Sequence, residues 1–433
     1  MSKRYLGIDF GTTGARAIVI DESANIVCSV QNTYANVAAA QLAQTWQSTL
    51  DKLILQIPIE VRKELQAIAI NGTSSTVLLC DAQGQSITLP LLYNDSRGQS
   101  VLEKIKSIAP ENHVVISATS SLAKLLWWQQ QPYFHQAHYL LHQADWLAFL
   151  LHGKLGISDY HNALKLGYDV EQLNYPDWLQ KLDCRNLYPR VLTPGTLVDT
   201  ITPTQSLHFD IPKNCTIHIG TTDSIAAFLA SGAAQPGEGV TSLGSTMVLK
   251  LLSCTRVTES DSGIYSHRLS NLWLIGGASN TGGAVLKHFF TDQELASLSA
   301  QINPVVPSSL EYYPLLKPGD RFPINDPYLS PKLEPRPKDS VEFLHGLLES
   351  MARIENFGYQ KLLKLSGDNL QCIYTAGGGA KNSAWRKIRQ RHLGVSVQVA
   401  TNTQAAYGTA LMASGRLSYL EESKSKRKNK SML

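Results

Sequence analysis

The first residues suited to chemistry lie near the start of the chain, where residues 5–21, YLGIDFGTTGARAIVID, are predicted to form two strands around a tight turn. Gly11, Thr12 and Thr13 would leave backbone N–H groups and hydroxyls exposed in that turn, and such groups form anion-binding nests. Asp9 ends the first strand. Because one well-placed carboxylate beside phosphates suffices to hold Mg²⁺, Asp9 is a candidate metal ligand, and an Asx-type turn contact is the alternative.

A turn of similar composition, SLGSTM, follows a predicted strand in the second half of the chain and contains Gly244, Ser245 and Thr246. Hairpin turns need glycine where φ is positive, so either turn taken alone is compatible with turn chemistry only. Two such turns, one in each half, predict a pair of nests that hold a polyphosphate from both sides of a cleft.

Asp223 lies between a predicted strand and an apolar helix, in HIGTTDSIAAFLASG. An aspartate in that place is commonly a helix N-cap. It is also where a general base would lie, because a positioned carboxylate can accept the proton of a sugar hydroxyl as its oxygen attacks a γ-phosphorus. The residues alone leave both roles open.

Two further polar segments each have a structural and a functional interpretation. GGGAKNSAW, residues 377–385, is either a plain strand-to-helix loop or a platform for adenine and ribose, since glycines let a backbone approach a flat ligand closely. YNDSRG, residues 93–98, places Asp95 and Arg97 in a loop, either as a surface ion pair or as contacts to substrate hydroxyls.

The elements that would position these residues alternate in type. Residues 5–80 combine strand-like runs with one helical stretch, a helical region follows, and two strand–loop–helix units come later. In the helical region, FHQAHYLLHQADWLAFLLHG carries His135, His138 and His142 at helical spacing without a clustered carboxylate or cysteine, which favours a mixed helix face over a metal site. The sequence has no GxxxxGK[ST], GxSxG or HExxH motif, and no GxGxxG follows a strand, which argues against P-loop, dinucleotide, hydrolase and zinc-protease chemistry.

Composition bounds the class of protein. The chain has 433 residues, enough for two domains, and its six cysteines are scattered, which fits a reducing cytoplasm. No apolar run reaches the roughly 18 residues of a membrane helix, and the sequence enters a strand too early for a signal peptide. The net charge of +4 comes from the ending KSKRKNKSML; without it, 34 basic and 35 acidic side chains remain. This neutral body argues against nucleic-acid binding.

The order of these segments resembles that of the FGGY carbohydrate kinases, over roughly residues 4–417. GIDFGTTGARA and SLGSTM resemble that family's two phosphate motifs, GTTDSIAAFLASGA its catalytic-aspartate segment and GGGAKNSAW its adenosine motif. YNDSR resembles its W-x-D-x-R with Tyr93 in place of Trp, and PGDRFPINDP its G-E-R-x-P-x-x-D-P with Asp320 in place of Glu. AKLLWWQQQP, QADWLAFLLHG and SDYHNALKLGYDV resemble its helical and substrate-side segments.

The resemblance implies an α/β chain with the two-domain actin/hexokinase/Hsp70-like ATPase fold, built from ribonuclease H-like domains, with the active site in the interdomain cleft. The implied domains are a sugar-binding and first-phosphate domain over 1–229, a nucleotide-binding domain over 230–417 and a basic, disordered tail over 418–433. The implied activity is ATP- and Mg²⁺-dependent phosphorylation of a small sugar by a cytoplasmic monomer or homodimer, without nucleic-acid or membrane partners.

The resemblance also implies roles for single residues. Asp223 would be the catalytic base and Asp9 the Mg²⁺ ligand. The implied ATP contacts are Gly11, Thr12, Thr13, Gly244, Ser245, Thr246, Gly283, Lys287, Gly378, Gly379, Ala380 and Asn382. The implied sugar contacts are Asp9, Thr73, Ser74, Ser75, Asp95, Arg97 and Asp223.

Substrate choice depends on the loop INGTSSTVLLCD. Xylulokinases show G-Q-M-H-G there, and this chain has Ser74 and Ser75 where Met and His would stand; the ribulokinase pattern D-A-T-C-S is closer, with Asn71 for its leading Asp. We therefore predict D-ribulose, phosphorylated at O5, ahead of D-xylulose and of glycerol or another small polyol. A non-catalytic ATP or sugar sensor of the same fold is disfavoured because Asp9 and Asp223 are both present, and an actin- or Hsp70-like ATPase because of YNDSR and PGDRFPINDP.

Overall fold

The computed structural model describes residues 3–34, 41–259 and 263–416, and the predicted tail, 418–433, lies outside them. The strands are β1 (Arg4–Phe10), β2 (Gly14–Ile20), β3 (Ile26–Thr33), β4 (Leu65–Gly72), β5 (Val77–Cys80), β6 (Tyr139–His142), β7 (Ile157–Asp159), β8 (Arg190–Leu192), β9 (Leu197–Thr200), β10 (Thr216–His218), β11 (Glu238–Leu243), β12 (Met247–Ser253), β13 (Tyr265–Leu269), β14 (Leu272–Ser279), β15 (Cys372–Ala376) and β16 (Ser396–Val399). The helices are α1 (Leu42–Gln56), α2 (Ile59–Arg62), α3 (Leu102–Ile108), α4 (Ser121–Trp128), α5 (Gln143–His152), α6 (Tyr160–Ala163), α7 (Asp177–Gln180), α8 (Pro203–Phe209), α9 (Asp223–Ala230), α10 (Gly283–Phe289), α11 (Asp292–Ser299), α12 (Ser340–Ser366), α13 (Ser383–Leu393) and α14 (Ala405–Ala413). Within the described ranges, no helix has both the length and the apolar character needed to cross a membrane.

The described residues divide into two compact units. The first contains those up to residue 230 together with those from 404 onward, and the second contains 231–403. The predicted second domain, 230–417, included the final helix, whereas the structure packs α14 against β1, β4 and α9 of the first unit. The boundary differs because the last helix packs on the sheet of the first unit, whose strand β1 comes from the other end of the chain.

In the first unit, the strands pair in the order β3-β2-β1-β4-β10-β9, and β1, β4 and β10 run parallel. Leu6 and Phe10 of β1 are fully buried on one face of this sheet. Gly7 lies on the other face, where an added Cβ would come 2.1 Å from the carbonyl oxygen of Ala406 in α14. Asp9 shares that face because side chains alternate along a strand. The close approach of α14 therefore requires glycine at position 7.

In the second unit, the strands pair in the order β13-β14-β12-β11-β15-β16, and α12 packs against α13 and β12. A buried ion pair joins the two helices: the guanidinium of Arg389 donates to Glu355 at 2.6 and 2.7 Å. Arg389 also donates to Thr375 of β15, and Thr241 of β11 donates to Glu355. Because a buried pair survives only when its remaining hydrogen-bonding groups are satisfied, these bonds fix both helices to the strands that lead into the site described below.

The structure divides the predicted helix at residues 134–153 into strand β6 and helix α5. The run YLLH pairs antiparallel with β5, which is remote in sequence, so tertiary pairing overrides the helical spacing. His142 caps α5, with its Nδ1 3.0 Å from Asp145 Oδ2, whereas His135 and His138 precede β6. The predicted shared helix face for the three histidines is therefore wrong.

The end of α5 gives a prediction for stability. His152 is buried, and its Nδ1 accepts the backbone N–H of Lys154 at 3.0 Å. Burial lowers the pKa of His152 from 6.5 to about 4. The unfolded chain therefore takes up a proton at a higher pH than the folded one, so the free energy of unfolding falls as pH drops from about 6.5 to 4, by up to about 3 kcal/mol.

Denaturant unfolding at a series of pH values tests this. We expect His152→Gln to flatten the loss of stability between pH 7 and 4 relative to the wild type, whatever its stability at pH 7. His135→Gln, at an exposed position before β6, is the matched control and should keep the wild-type slope. An unchanged slope in His152→Gln would contradict the assignment.

Candidate active site

The carboxyl ends of neighbouring strands bring three predicted segments of the first unit together. Asp9 at the end of β1 lies in parallel register with Asn71 at the end of β4. Gly72 then pairs with Thr222, which directly precedes Asp223 at the start of α9. Ligand sites in open parallel sheets form at such an edge. The structure therefore places Asp9, Asp223 and the loop after β4 at one edge of one sheet.

The environment of Asp9 favours a bound cation. Burial, and then the negative charge of Asp223, raise the pKa of Asp9 from 3.8 to about 7, and Arg16 opposes them. The buried Oδ1 of Asp9 has no hydrogen-bond partner within the described ranges. Two carboxylates in electrostatic contact, one with an unsatisfied oxygen, fit Mg²⁺, which prefers one or two carboxylates and completes its shell with water and phosphate oxygens.

The turn after Asp9 is held in shape by internal hydrogen bonds, which engage the Gly11 N–H and leave the Thr12 and Thr13 side chains exposed. The backbone N–H of Gly11 donates to the Gly14 oxygen at 3.0 Å, closing the turn. Tyr34 donates its hydroxyl to the Gly11 oxygen at 2.6 Å and its backbone N–H to the Thr13 oxygen at 2.9 Å. Burial, followed by the charge of Asp9, raises the pKa of Tyr34, so this hydroxyl stays a donor. Thr12 and Thr13 remain exposed, as a phosphate-binding turn requires.

The corresponding turn of the second unit is tied to helix α10. The N–H groups of Gly283 and Ala284 donate to the oxygens of Gly244 and Ser245 at 2.9 and 3.0 Å. Gly244 and Ser245 are exposed, and Thr246 is half-buried. The start of α10 therefore fixes the shape of the turn, and the predicted nucleotide contacts of Gly244, Ser245, Thr246 and Gly283 stay predictions.

Lys287 lies farther along α10 and pairs with Asp292 at 3.2 Å, with two thirds of its side chain exposed. The structure thus gives Lys287 a surface ion pair, and its predicted contact with the nucleotide stays a prediction.

The loop after β15 lies beside the second turn. Gly377 has φ +84°, and a Cβ there would come 2.6 Å from the oxygen of Leu243, the residue before Gly244. A Cβ at Gly379 would meet the Leu243 side chain at 2.7 Å, whereas one at Gly378 would meet nothing within 4 Å. Glycine at 377 and 379 therefore permits close packing on β11, and the exposed Gly378 leaves an open surface.

Ala380 and Asn382 complete this loop. Asn382 caps α13 by accepting the N–H of Trp385 at 2.9 Å, and its amide donates to Ser299 at 2.8 Å. Ala380 donates its N–H to the Gly377 oxygen at 3.2 Å. Asn382 is thus engaged in positioning the loop, which was not foreseen, and its predicted adenosine contact stays a prediction.

The predicted sugar loop, Thr73 to Ser75, follows β4. Thr73 donates its backbone N–H and its hydroxyl to Gln143 Oε1 at 3.0 and 3.1 Å, so its hydroxyl already has a partner. Ser74 is half-buried. Ser75 has φ +63°, and its buried hydroxyl has no partner in the described part of the chain. Of the three side chains, that of Ser75 therefore fits a substrate contact best, because its hydroxyl lacks a hydrogen-bond partner within the described ranges.

Asp95 and Arg97 form an ion pair at 2.8 Å, and the exposed Arg97 guanidinium lies over the Trp127 ring at 5.1 Å. Arg97 also lines a cavity of about 450 Å³ with Trp128 and Tyr133. The surface ion pair is therefore present, and contact with substrate hydroxyls stays a prediction for both residues.

Sequence reasoning missed two residues near the site. His161 of α6 places its Nδ1 2.7 Å from the Thr221 hydroxyl, two residues before Asp223. Lys165 follows on the same segment; burial lowers its pKa and the charge of Asp223 raises it, so its ammonium lies near that carboxylate. The sequence signal was SDYHNALKLGYDV, which resembles a substrate-side segment of the FGGY kinases but singles out neither residue.

Asp320 of PGDRFPINDP has a structural role. It accepts hydrogen bonds from the Ser279 hydroxyl and the Asn280 N–H at 2.7 Å, and from the Tyr313 hydroxyl at 2.6 Å. These bonds hold the loop that leads into α10.

Two family models match the chain. The family model described as the N-terminal domain of the FGGY family of carbohydrate kinases matches residues 4–230, and the C-terminal domain model matches 239–415. The chain belongs to the FGGY family of carbohydrate kinases. It is an ATP-dependent sugar phosphotransferase, as predicted.

Individual relatives of this FGGY kinase agree with that assignment. The xylulose kinase of Staphylococcus xylosus is 22% identical over 94% of this chain and 90% of that protein. The ligand-bound xylulose kinase from Lactobacillus acidophilus has a TM-score of 0.80 at 18% identity, covering 97% of this chain and 92% of the other. Plasmodium falciparum glycerol kinase with ADP has a TM-score of 0.81 at 16% identity, covering 98% and 92%. The predicted two-domain α/β fold of the actin/hexokinase type is confirmed.

Proposed function

We propose that this FGGY kinase transfers the γ-phosphate of ATP to the terminal hydroxyl of a small ketose, with D-xylulose as the first candidate and D-ribulose as the second. The observation that supports the kinase chemistry is the pair Asp9 and Asp223 at one sheet edge. The charge of Asp223 acts there on Asp9 and on Lys165. A sensor that only bound ATP or sugar would have no need of this repulsive pair.

In the proposed reaction, Asp223 accepts the proton of the sugar hydroxyl as its oxygen forms a bond to the γ-phosphorus. The bond from that phosphorus to the bridging oxygen breaks, and ADP leaves. The Asp223 Oδ1 accepts the Ser224 N–H at 2.6 Å, which orients the carboxylate. Lys165 lies close enough for its charge to interact with that of Asp223 and would offset part of the repulsion between Asp223 and Asp9.

Asp9 would hold Mg²⁺, directly or through water. When bound, this ion neutralises charge on the β- and γ-phosphate oxygens. Thr12 and Thr13 would donate to phosphate, and Tyr34 would keep the turn in shape through the Gly11 oxygen. In the second unit, the turn at Gly244 and the open surface at Gly378 would receive phosphate and adenosine.

The first candidate here, D-xylulose, differs from the sugar that the loop after β4 predicted. D-Ribulose was predicted from GTSS, and that specificity is not confirmed. Support for D-xylulose comes from relatives named xylulose kinase that cover nearly the whole chain. The loop is compatible with either sugar, because Ser75 offers one free hydroxyl and Thr73 is occupied by Gln143.

A coupled assay that measures ADP release over D-xylulose, D-ribulose, glycerol and gluconate tests the proposal. We expect kcat/KM to be highest for D-xylulose and at least about tenfold above glycerol, since each hydroxyl that loses its partner costs about 1 kcal/mol or more. A preference for D-ribulose would restore the prediction from the loop, and turnover of neither ketose would contradict the proposed substrate class. Sugar binding without turnover of any substrate would favour a sensor.

A further inference from the structure

Lys124 of α4 is fully buried, and its ammonium group donates hydrogen bonds to two backbone oxygens. Its Nζ donates to the backbone oxygen of Ser75 at 2.7 Å and to that of Leu92 at 2.6 Å. Ser75 belongs to the loop after β4, and Leu92 precedes YNDSR, so one ammonium joins two segments that the sequence assigns to the sugar side. Without it, the Ser75 oxygen would lose this hydrogen bond, whereas the Leu92 oxygen would keep the backbone N–H of Asp95 at 2.9 Å.

The backbone held by Lys124 adopts a conformation that serine rarely takes. Ser75 has φ +63°, in the left-handed region, which costs a non-glycine residue of order 1 kcal/mol. Its hydroxyl is buried and has no partner within the described ranges. Such backbone strain persists only where the surroundings impose it, and here the imposed geometry leaves a buried hydroxyl unsatisfied.

Thr76 strengthens the same link. Its hydroxyl accepts the backbone N–H of Tyr93 at 3.0 Å and lies 2.5 Å from the Thr73 hydroxyl. The loop after β4 is thus attached to the segment at 92–93 at two points, of which Lys124 supplies the charged one.

Charged side chains from the segments packed on α4 affect the protonation of Lys124. Asp95 favours the ammonium, whereas Arg97 of the following turn and Lys165 after α6 oppose it. Burial is the largest influence and lowers the pKa of Lys124 from 10.5 to about 7. Burying this cation costs free energy, which its hydrogen bonds to the Ser75 and Leu92 oxygens offset in part.

We propose that Lys124 is a positioning residue for the sugar: it draws the Ser75 and Leu92 carbonyls together and so aims the Ser75 hydroxyl at a hydroxyl of the ketose. This inference rests on the proposed function. Lys124 itself does not touch the substrate, and its effect reaches the reaction through the loop.

The test compares Lys124→Met with Lys106→Met, an exposed lysine of α3 that pairs with Glu103. Steady-state kinetics and calorimetry with D-xylulose are measured on both and on the wild type. For Lys124→Met we expect sugar KM and the dissociation constant for D-xylulose to rise about ten- to a hundredfold, as for loss of hydrogen bonds to a charged group. KM for ATP should change less than about twofold, and Lys106→Met should match the wild type.

Equal losses in sugar KM, ATP KM and kcat would show that Lys124 only stabilises the fold, and unchanged sugar KM would overturn the inference outright. If Lys124→Met does not fold, the pH dependence of sugar binding by the wild type tests the inference. Its dissociation constant for D-xylulose, measured without ATP and Mg²⁺, should rise as pH increases through about 7, where Lys124 loses its proton; a constant that stays flat or falls over that range would overturn the inference. A wild type that neither binds nor phosphorylates a ketose would instead contradict the proposed function.

Discussion

Asp223→Asn is expected to fold like the wild type, to bind ATP and to lose at least about a hundredfold in kcat, because a positioned general base contributes about 10²–10⁴-fold. Asn keeps the shape of the side chain and its capacity to accept the Ser224 N–H, but it cannot take a proton from the sugar. A coupled kinase assay beside a thermal melt measures both properties.

The alternative role, a helix cap, predicts the opposite result. Asn caps a helix as well as Asp does, so a cap alone would cost about 1 kcal/mol of stability or less and leave kcat intact. Asp339→Asn is the matched control, because Asp339 caps α12 by accepting the Val341 N–H. We expect this variant to keep wild-type kcat. Near-normal kcat in Asp223→Asn would remove the base assignment.

Asp9→Asn should abolish most turnover and at the same time stabilise the fold. Turnover with Mg²⁺ and ATP should fall at least about a hundredfold, since charge stabilisation by a bound metal is worth several kcal/mol. Stability should rise because the raised pKa of Asp9 marks an ionised state that the fold disfavours, through burial and the charge of Asp223. This gain should be largest above pH 7, where the wild-type carboxylate is ionised.

The control lies in the turn between β2 and β3. Asp21 accepts backbone N–H groups of Ser23 and Asn25, and the Asn25 bond foremost lowers its pKa, so its charge is favoured by the fold. Asp21→Asn should therefore leave turnover unchanged and give no gain in stability. Near-normal turnover in Asp9→Asn, or a melting temperature below that of the wild type, would contradict the role of Asp9 as a site residue.

Local patterns were sufficient to predict the hairpin around Asp9. Its alternating strands and its Gly-rich turn depend on residues that are neighbours in sequence. The run YLLH at 139–142 could not be assigned in this way, because a short apolar stretch fits either element and its pairing with β5 decides.

Lys124 and Lys165 were missed for a related reason. A lysine shows no sign of burial in its own neighbourhood. The oxygens that accept from Lys124 belong to Ser75 and Leu92, which only the folded chain brings to α4. Asp9 and Asp223 could be proposed from the sequence because predicted strands precede them, whereas the residues around them come from other elements.

The return of α14 to the first unit has a consequence for synthesis. Chains emerge from the ribosome from their amino terminus, and domains generally fold as units in that order. Here the sheet face that carries Gly7 and Asp9 receives its cover only when residues 404–416 appear, after the whole of 231–403 has been translated. The first unit is thus started first and finished last, and a chain truncated before α14 would leave an apolar sheet face open to aggregation or chaperone binding.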